Sequence, residues 1–223
     1  MKQYKLSLSS GNRKIKALSR YTKLKCTSVD ILAGVTCPKA YLCKSWVNST
    51  GKISRGRDCQ FLCYAARIEA IYPNVYHAHK HNTKLINFLI KSDLFVDCLY
   101  SQLHNKYDIV RLHSSGDFFS LDYTKNWINL ARALPNIQFF GYTKVYKSYS
   151  IIRRADLDNL HVVFSLGSKD DYKAIRYNAN TCTVVLPNMK FNQKIVCNGK
   201  TDKIQSQDFF EIINNRSFGI KLH

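Results

Sequence analysis

From Asp108 onward the sequence alternates strand and helix patterns without a break, and that alternation limits the fold more than any other feature. Asp108 to His113 (DIVRLH) is an apolar run of strand length. Ser120 follows as a candidate N-cap. Leu121 to Leu134 then carries Tyr123, Trp127, Leu130, Ala131 and Leu134 on one face at helical spacing. Pro135-Asn136 ends that helix. Ile137 to Lys144 reads as the next strand, residues 149–158 as a helix, His161 to Ser168 as a strand, Tyr172 to Ala179 as a short helix, and Thr181 to Leu186 as a final strand. Strands and helices in this order predict an α/β fold with parallel strands and right-handed crossovers. Four β/α units over 108–187, with an N-terminal strand or two, would make a partial or small (β/α) barrel. A flat doubly wound sheet is the alternative.

The first half is less regular. Residues 1–30 read as a basic N-terminal arm with one or two strands, and residues 31–36 (ILAGVT) as a short buried strand leading into Cys37. The segment from Lys44 to Asp58 is polar and rich in Gly, Ser and Arg, which predicts a loop. YAARIEAIY after Cys63 and LINFLI near residue 88 predict helices. His77, His79 and His81 read as a solvated polar face. With 223 residues and no low-complexity linker, the chain is expected to form a single domain over 1–223. Its apolar runs are too short to span a bilayer, and MKQYKLSLSSGNRKIK lacks the apolar core of a signal peptide.

Four cysteines fall between residues 37 and 63: Cys37, Cys43, Cys59 and Cys63. In a reducing cytoplasm such a group points to a metal centre rather than to disulfides. Zinc sites favour tight pairs separated by two to four residues. The wider Cys37-x5-Cys43 spacing suits an iron–sulfur cluster better, most simply a [4Fe-4S] cluster, with zinc as the alternative. Cys26, Cys98, Cys182 and Cys197 are isolated, as small core residues are, although Cys197 could fold back toward the site.

Ligands in parallel α/β folds bind at the carboxyl ends of the strands. Three predicted strands end in polar runs there, and a fourth leads into Cys37. His113 is a candidate general base, Asp117 its orienting partner, and Ser114 or Ser115 a nucleophile or oxyanion donor. Arg111, Tyr142, Lys144 and Ser165 are candidate substrate contacts. The chain carries 34 Lys+Arg against 15 Asp+Glu, a net charge of +19, with eight basic residues and no acidic one before Asp30. That field attracts anionic partners: a small phosphate-bearing molecule such as a coenzyme A derivative, or nucleic acid.

These motifs together resemble the phage "gene product 88" domain family. The resemblance rests on Leu8-Ser-Ser-Gly-Asn12-x-Lys14, Thr36-Cys37-Pro38 with Cys43, Cys63-Tyr64-Ala65, Arg111-x-His113-x-Ser115-Gly116-Asp117-Phe118, Trp127 and Tyr142-Thr143-Lys144. It implies a bacteriophage origin, a host-cytoplasmic location, a β/α architecture and a cysteine-bound cluster distantly like that of radical-SAM proteins. The Cys-x3-Cys-x2-Cys signature of those enzymes is absent, because Ala66 stands three residues after Cys63. The expected activity is therefore hydrolytic: an iron–sulfur enzyme using the cluster as a Lewis acid on an acyl-CoA-type thioester or related ester. Nucleic-acid binding or modification around a structural cluster is the second expectation, and electron transfer the third.

Overall fold

The computed structural model describes residues 4–185, 194–197, 200–203, 209–214 and 217–221. The chain begins with β1 (Leu8–Ser9), α1 (Arg13–Thr22), β2 (Cys26–Val29), β3 (Ser45–Val47) and β4 (Ile53–Arg55). Three helices follow: α2 (Tyr64–Ile71), α3 (Pro73–Lys91) and α4 (Phe95–Leu103). The alternating half contains β5 (Ile109–Leu112), α5 (Leu121–Ala133), β6 (Gln138–Thr143), α6 (Tyr146–Ala155), β7 (Leu160–Ser165), α7 (Asp171–Arg176) and β8 (Thr181–Val185). The tail adds β9 (Lys194–Cys197), β10 (Lys200–Lys203), α8 (Phe209–Ile213) and β11 (Phe218–Lys221).

The seven-stranded sheet has the order β1-β2-β5-β6-β7-β8-β11. β1 pairs antiparallel with β2, and every other pairing is parallel. The expected α/β class and parallel pairing are therefore present. The order also runs without a reversal, whereas a doubly wound sheet reverses at its switch point. Every parallel connection steps to the next strand on the same side.

Strand alternation divides the core into two layers. Val29, Val110, Leu112, Phe139 and Val162 pack with α3, α4, α5 and α6 residues on one face. Cys26, Ile109, Phe140, Val163 and Cys182 face the other way, against Ile15 and Leu18 of α1 and Phe209 and Ile212 of α8. Trp127 of α5 is fully buried, and Phe95 of α4 meets it edge-on at 5.4 Å. Ser120 caps α5 as its side chain predicts, accepting from the Tyr123 N–H at 3.1 Å.

The first half differs from its sequence pattern in several places. The N-terminal arm contains a ten-residue helix, α1, whose core contacts reduce to Ile15 and Leu18, too sparse a stripe to stand out. Residues 31–36 are not a strand. The strand is Cys26–Val29, and Gly34 turns the chain with φ +68°. A Cβ at Gly34 would lie 2.1 Å from the Ser45 carbonyl oxygen, so only glycine fits. The polar segment 44–58 contains the hairpin β3–β4, paired Trp46 to Ser54. His79 is buried, because two positions along a helix from His77 and from His81 brings a side chain to the opposite face.

Candidate functional site at the carboxyl ends of the strands

Between β2 and β5 the chain makes a long excursion that lays the cysteines over the carboxyl ends of β5, β6 and β7. Three contacts pin it there. The Ile31 N–H donates to the Ser115 carbonyl at 3.0 Å. The N–H groups of Tyr41 and Leu42 both donate to the Gly167 carbonyl at 3.2 Å, and Ala40 bridges Ser168. Gly116, at φ +92°, allows the excursion close: a Cβ there would meet Ile31 Cγ1 at 2.2 Å.

Cys37, Cys43 and Cys63 lie near enough here for the charge of each to act on another. Burial pushes the Cys37 thiol well above its ordinary range, and the charges of Asp117, Cys63 and Cys43 add to that. Burial also raises Cys43, with Lys144 opposing and Cys59 adding. Cys63 is raised by burial and then by Cys43, while backbone hydrogen bonds from Ala66 and Ala65 favour its thiolate. Those two N–H groups belong to the first turn of α2, for which Cys63 is the N-cap residue. A thiolate at a helix N-terminus is stabilised by the free N–H groups and by the dipole. The Cys63 N–H itself donates to Ser45 Oγ at 2.9 Å, tying α2 to β3. Cys59 is partly exposed, with its Sγ 3.2 Å from the Phe61 carbonyl oxygen.

Two ammonium groups border the cysteines. Lys44 Nζ donates to the Gly34 and Cys37 carbonyls at 2.6 and 2.7 Å. Lys144 Nζ donates to the Ser165 carbonyl at 3.2 Å, to Ser165 Oγ at 3.1 Å and to the Leu166 carbonyl.

The other expected site residues have separate jobs. His113 sits at φ +59° just past β5, with its ring among Phe118, Tyr123 and Trp127 and its Nε2 2.8 Å from the Tyr123 hydroxyl. Burial lowers its pKa to about 3. Asp117 is bonded elsewhere. Its Oδ1 accepts from the Phe118 N–H and the Thr143 hydroxyl, both at 2.7 Å, and its Oδ2 from the Lys144 N–H at 2.9 Å. It clamps the turn after β5 to the end of β6, and no hydrogen bond between it and His113 occurs among the described residues. Ser115 Oγ donates to Glu69 Oε1 at 2.8 Å, and Ser114 Oγ is buried. Arg111 lies on the α1 side of the sheet, its guanidinium 5.9 Å from the Phe140 ring centre and 5.6 Å from that of Tyr142.

Glu69 and Asp30 escaped the sequence reading, and His79 was expected on a solvated face. Glu69 is buried in α2, and its Oε1 accepts from the Ala33 N–H at 2.9 Å as well as from Ser115, with His79 Nδ1 at 2.8 Å. Its negative charge also reaches Cys63. Asp30 Oδ2 accepts from Ser28 Oγ at 2.7 Å, and Asp30 Oδ1 from the Ser115 N–H at 3.3 Å. One signal was available: Glu69 is the sole acidic residue between Asp58 and Asp93, set in the apolar run AARIEAI. Cys26, Cys98 and Cys182 are buried in the core, as isolated cysteines suggest. The side chain of Cys197 lies outside the described residues. Among the described residues, no three His, Cys, Asp or Glu side chains form a group that could hold a metal ion.

Fold and site define a mostly parallel α/β protein with a cysteine-bearing excursion laid over the carboxyl ends of its strands. The family model described as Gene product 88 matches residues 5–215, and the chain belongs to that family. Two similar relatives are the Gene 88 proteins of Mycobacterium phages L5 and D29, 29% identical over 117 residues and 28% identical over 115 residues. Each match covers 48% of this chain and 48% of the relative, so the chain spans about half the length of the curated relatives it matches. The family is thus a bacteriophage one. No solved structure matches. No described helix is long and apolar enough to cross a membrane.

Proposed function

We propose that the protein is an iron–sulfur protein, with Cys37, Cys43 and Cys63 holding a [4Fe-4S] cluster at the mouth of a partial β/α barrel and Cys59 on its rim. The observation that carries this reading is that three thiols from two separate stretches of chain lie near enough to act on one another's charge, with Cys63 at the N-terminus of α2. The surroundings fit such a group. Burial, hydrogen bonds to sulfur and local charge tune clusters, and here the cysteines are half-buried, Cys63 stands at the N-terminus of α2, and Lys44 and Lys144 stand close by. When bound, the cluster supplies electron transfer or, with one iron uncovered, a Lewis acid. Asp117 fixes the floor of the mouth by joining the turn after β5 to β6. Glu69 ties the excursion to α2 and α3.

The reaction we propose for this centre is hydrolysis of an anionic, phosphate-bearing ester or thioester of the acyl-CoA type, a substrate class that suits the net charge of +19. His113 is neutral and enclosed by aromatic rings, so the proton acceptor in such a reaction is another group.

The test is anaerobic reconstitution with ferrous iron and sulfide. The expected product is brown, with a broad absorbance near ~400 nm from thiolate-to-iron charge transfer and stoichiometric iron and sulfide. Cys37→Ala, Cys43→Ala and Cys63→Ala should lose it, while Cys26→Ala and Cys98→Ala keep it. A colourless zinc protein, or equal iron in all five variants, overturns the reading. Release of free thiol from acetyl-CoA by the holoprotein but not by Cys37→Ala tests the reaction separately.

A further inference from the structure

The basic surface is not uniform, and one part of it is built differently from the rest. On α7 and its C-cap, Tyr172, Ile175 and Tyr177 are 63%, 52% and 60% exposed, unusual values for three large apolar side chains within six residues. Cations lie over the rings. Lys173 Nζ is 5.5 Å from the ring centre of Tyr172, and the Arg176 guanidinium is 5.5 Å from that of Tyr177. Tyr177 also stacks on Tyr146 of α6, with centroids 5.8 Å apart and planes at 26°. This holds one face of the Tyr177 ring against the protein.

The acidic residues beside this surface are already engaged. Asp171 accepts the N–H groups of Gly167 and Ser168, both at 2.9 Å. Asp170 is buried and shared by Lys39 at 3.3 Å and Lys173 at 3.4 Å, so two ammonium groups meet one carboxylate. With Lys169 and Arg176 exposed, the patch keeps a net positive charge.

We infer that the α6–α7 surface is a docking site for single-stranded nucleic acid. Exposed rings flanked by cations are the combination that binds unpaired bases: π-faces stack on bases of any identity while Lys and Arg follow the phosphates. A duplex keeps its bases stacked inside and offers these rings nothing. The inference does not depend on the cluster. The Lys39–Asp170 pair joins the patch to the cysteine excursion, so a bound strand would run past the mouth of the site.

The test is fluorescence anisotropy with a fluorescein-labelled single-stranded DNA, the RNA of the same sequence and the duplex DNA, each across a salt series. We expect single strands to bind more tightly than the duplex, with the DNA and RNA arms showing which sugar is preferred. Tyr172→Ala and Tyr177→Ala should each weaken binding by roughly tenfold. Lys173→Gln with Arg176→Gln should flatten the log–log salt slope by about 1.4. Circular dichroism and melting of each variant control for folding. Equal affinity for duplex and single strands overturns the inference. So does unchanged binding in the tyrosine variants, or a loss that follows Arg20→Gln and Lys23→Gln at the C-terminal end of α1 instead. Equally strong, salt-sensitive binding to anionic phospholipid vesicles that also depends on Tyr172 and Tyr177 would make the patch a membrane surface and overturn it too.

Discussion

Replacing His113 with Asn tests whether this ring is a buried structural group or a working base. Burial lowers the His113 pKa from 6.5 to about 3. The folded protein therefore holds the ring neutral where the unfolded chain would protonate it. The sign follows directly: above about pH 6.5 both states are neutral and the group does not affect stability. As pH falls toward 3 the unfolded state gains a proton that the native state refuses, and stability falls. At about 1.4 kcal/mol per pH unit, the whole interval amounts to about 5 kcal/mol, of which roughly 2 kcal/mol is reached by pH 5. Asn suits the test because it tolerates the left-handed backbone at φ +59° and does not titrate. The variant should be less stable at neutral pH, since the Tyr123 hydroxyl loses its partner and a cavity opens among Phe118, Tyr123 and Trp127. Urea unfolding between about pH 7.5 and pH 4.5 measures both effects. The wild-type advantage should shrink steadily below about pH 6. A constant difference across the series, or an NMR titration of His113 near its ordinary pKa, would refute the reasoning and return His113 to the list of possible bases.

Gly34→Ala should cost about 3 kcal/mol or more, because its Cβ would meet the Ser45 carbonyl oxygen at 2.1 Å on a backbone that disfavours any side chain. Gly11→Ala, with nothing within 4 Å, should stay within about 0.5 kcal/mol of wild type; equal melting temperatures for the two variants would contradict the packing described. Asn159 Nδ2 donates to the carbonyls of Ala131, Leu134 and Ile137 at 3.0, 3.0 and 3.1 Å, closing the end of α5 onto β6. Asn159→Ala should cost about 2–3 kcal/mol in denaturant unfolding, and Asn159→Asp more, because it sets a carboxylate against three carbonyl oxygens.

Much of the alternating half could be read from sequence because its rules are local. Ser120 caps α5, Pro135 follows its end, and apolar runs of strand length mark β5, β6 and β8 within a residue or two, while β7 ends at Ser165, three residues before the expected Ser168. α6 begins three residues earlier than its pattern suggests, since Val145 is itself the N-cap and offers no capping side chain. The first half was harder for physical reasons. β2 (CTSV) is polar in composition yet wholly buried, because it lies between β1 and β5. ILAGVT has strand composition, but Gly34 makes it a turn. At the site, the placing of the Cys37–Cys63 stretch near the strand ends follows from the chain leading out of β2 at its carboxyl end. The roles of His113 and Asp117 were not legible, because the partners of each come from other segments: α5 for His113, β6 for Asp117. A buried carboxylate that receives three hydrogen bonds and a catalytic one look alike in a sequence.

The strand order has a consequence for the order of assembly. β5, β6, β7 and β8 pair with their nearest sequence neighbours across short crossovers, so their contacts close small loops and cost little chain entropy. β2 reaches β5 only after roughly eighty intervening residues have been drawn in, and that same stretch carries the cysteines. The floor of the mouth, from the Asp117 clamp to the Gly167 turn, belongs to the early part. The lid of thiols belongs to the late part, and its pinning contacts at Ser115, Gly167 and Ser168 all need the early part in place. The cysteine stretch is therefore fixed over the strand ends only when the longest loop in the sheet closes.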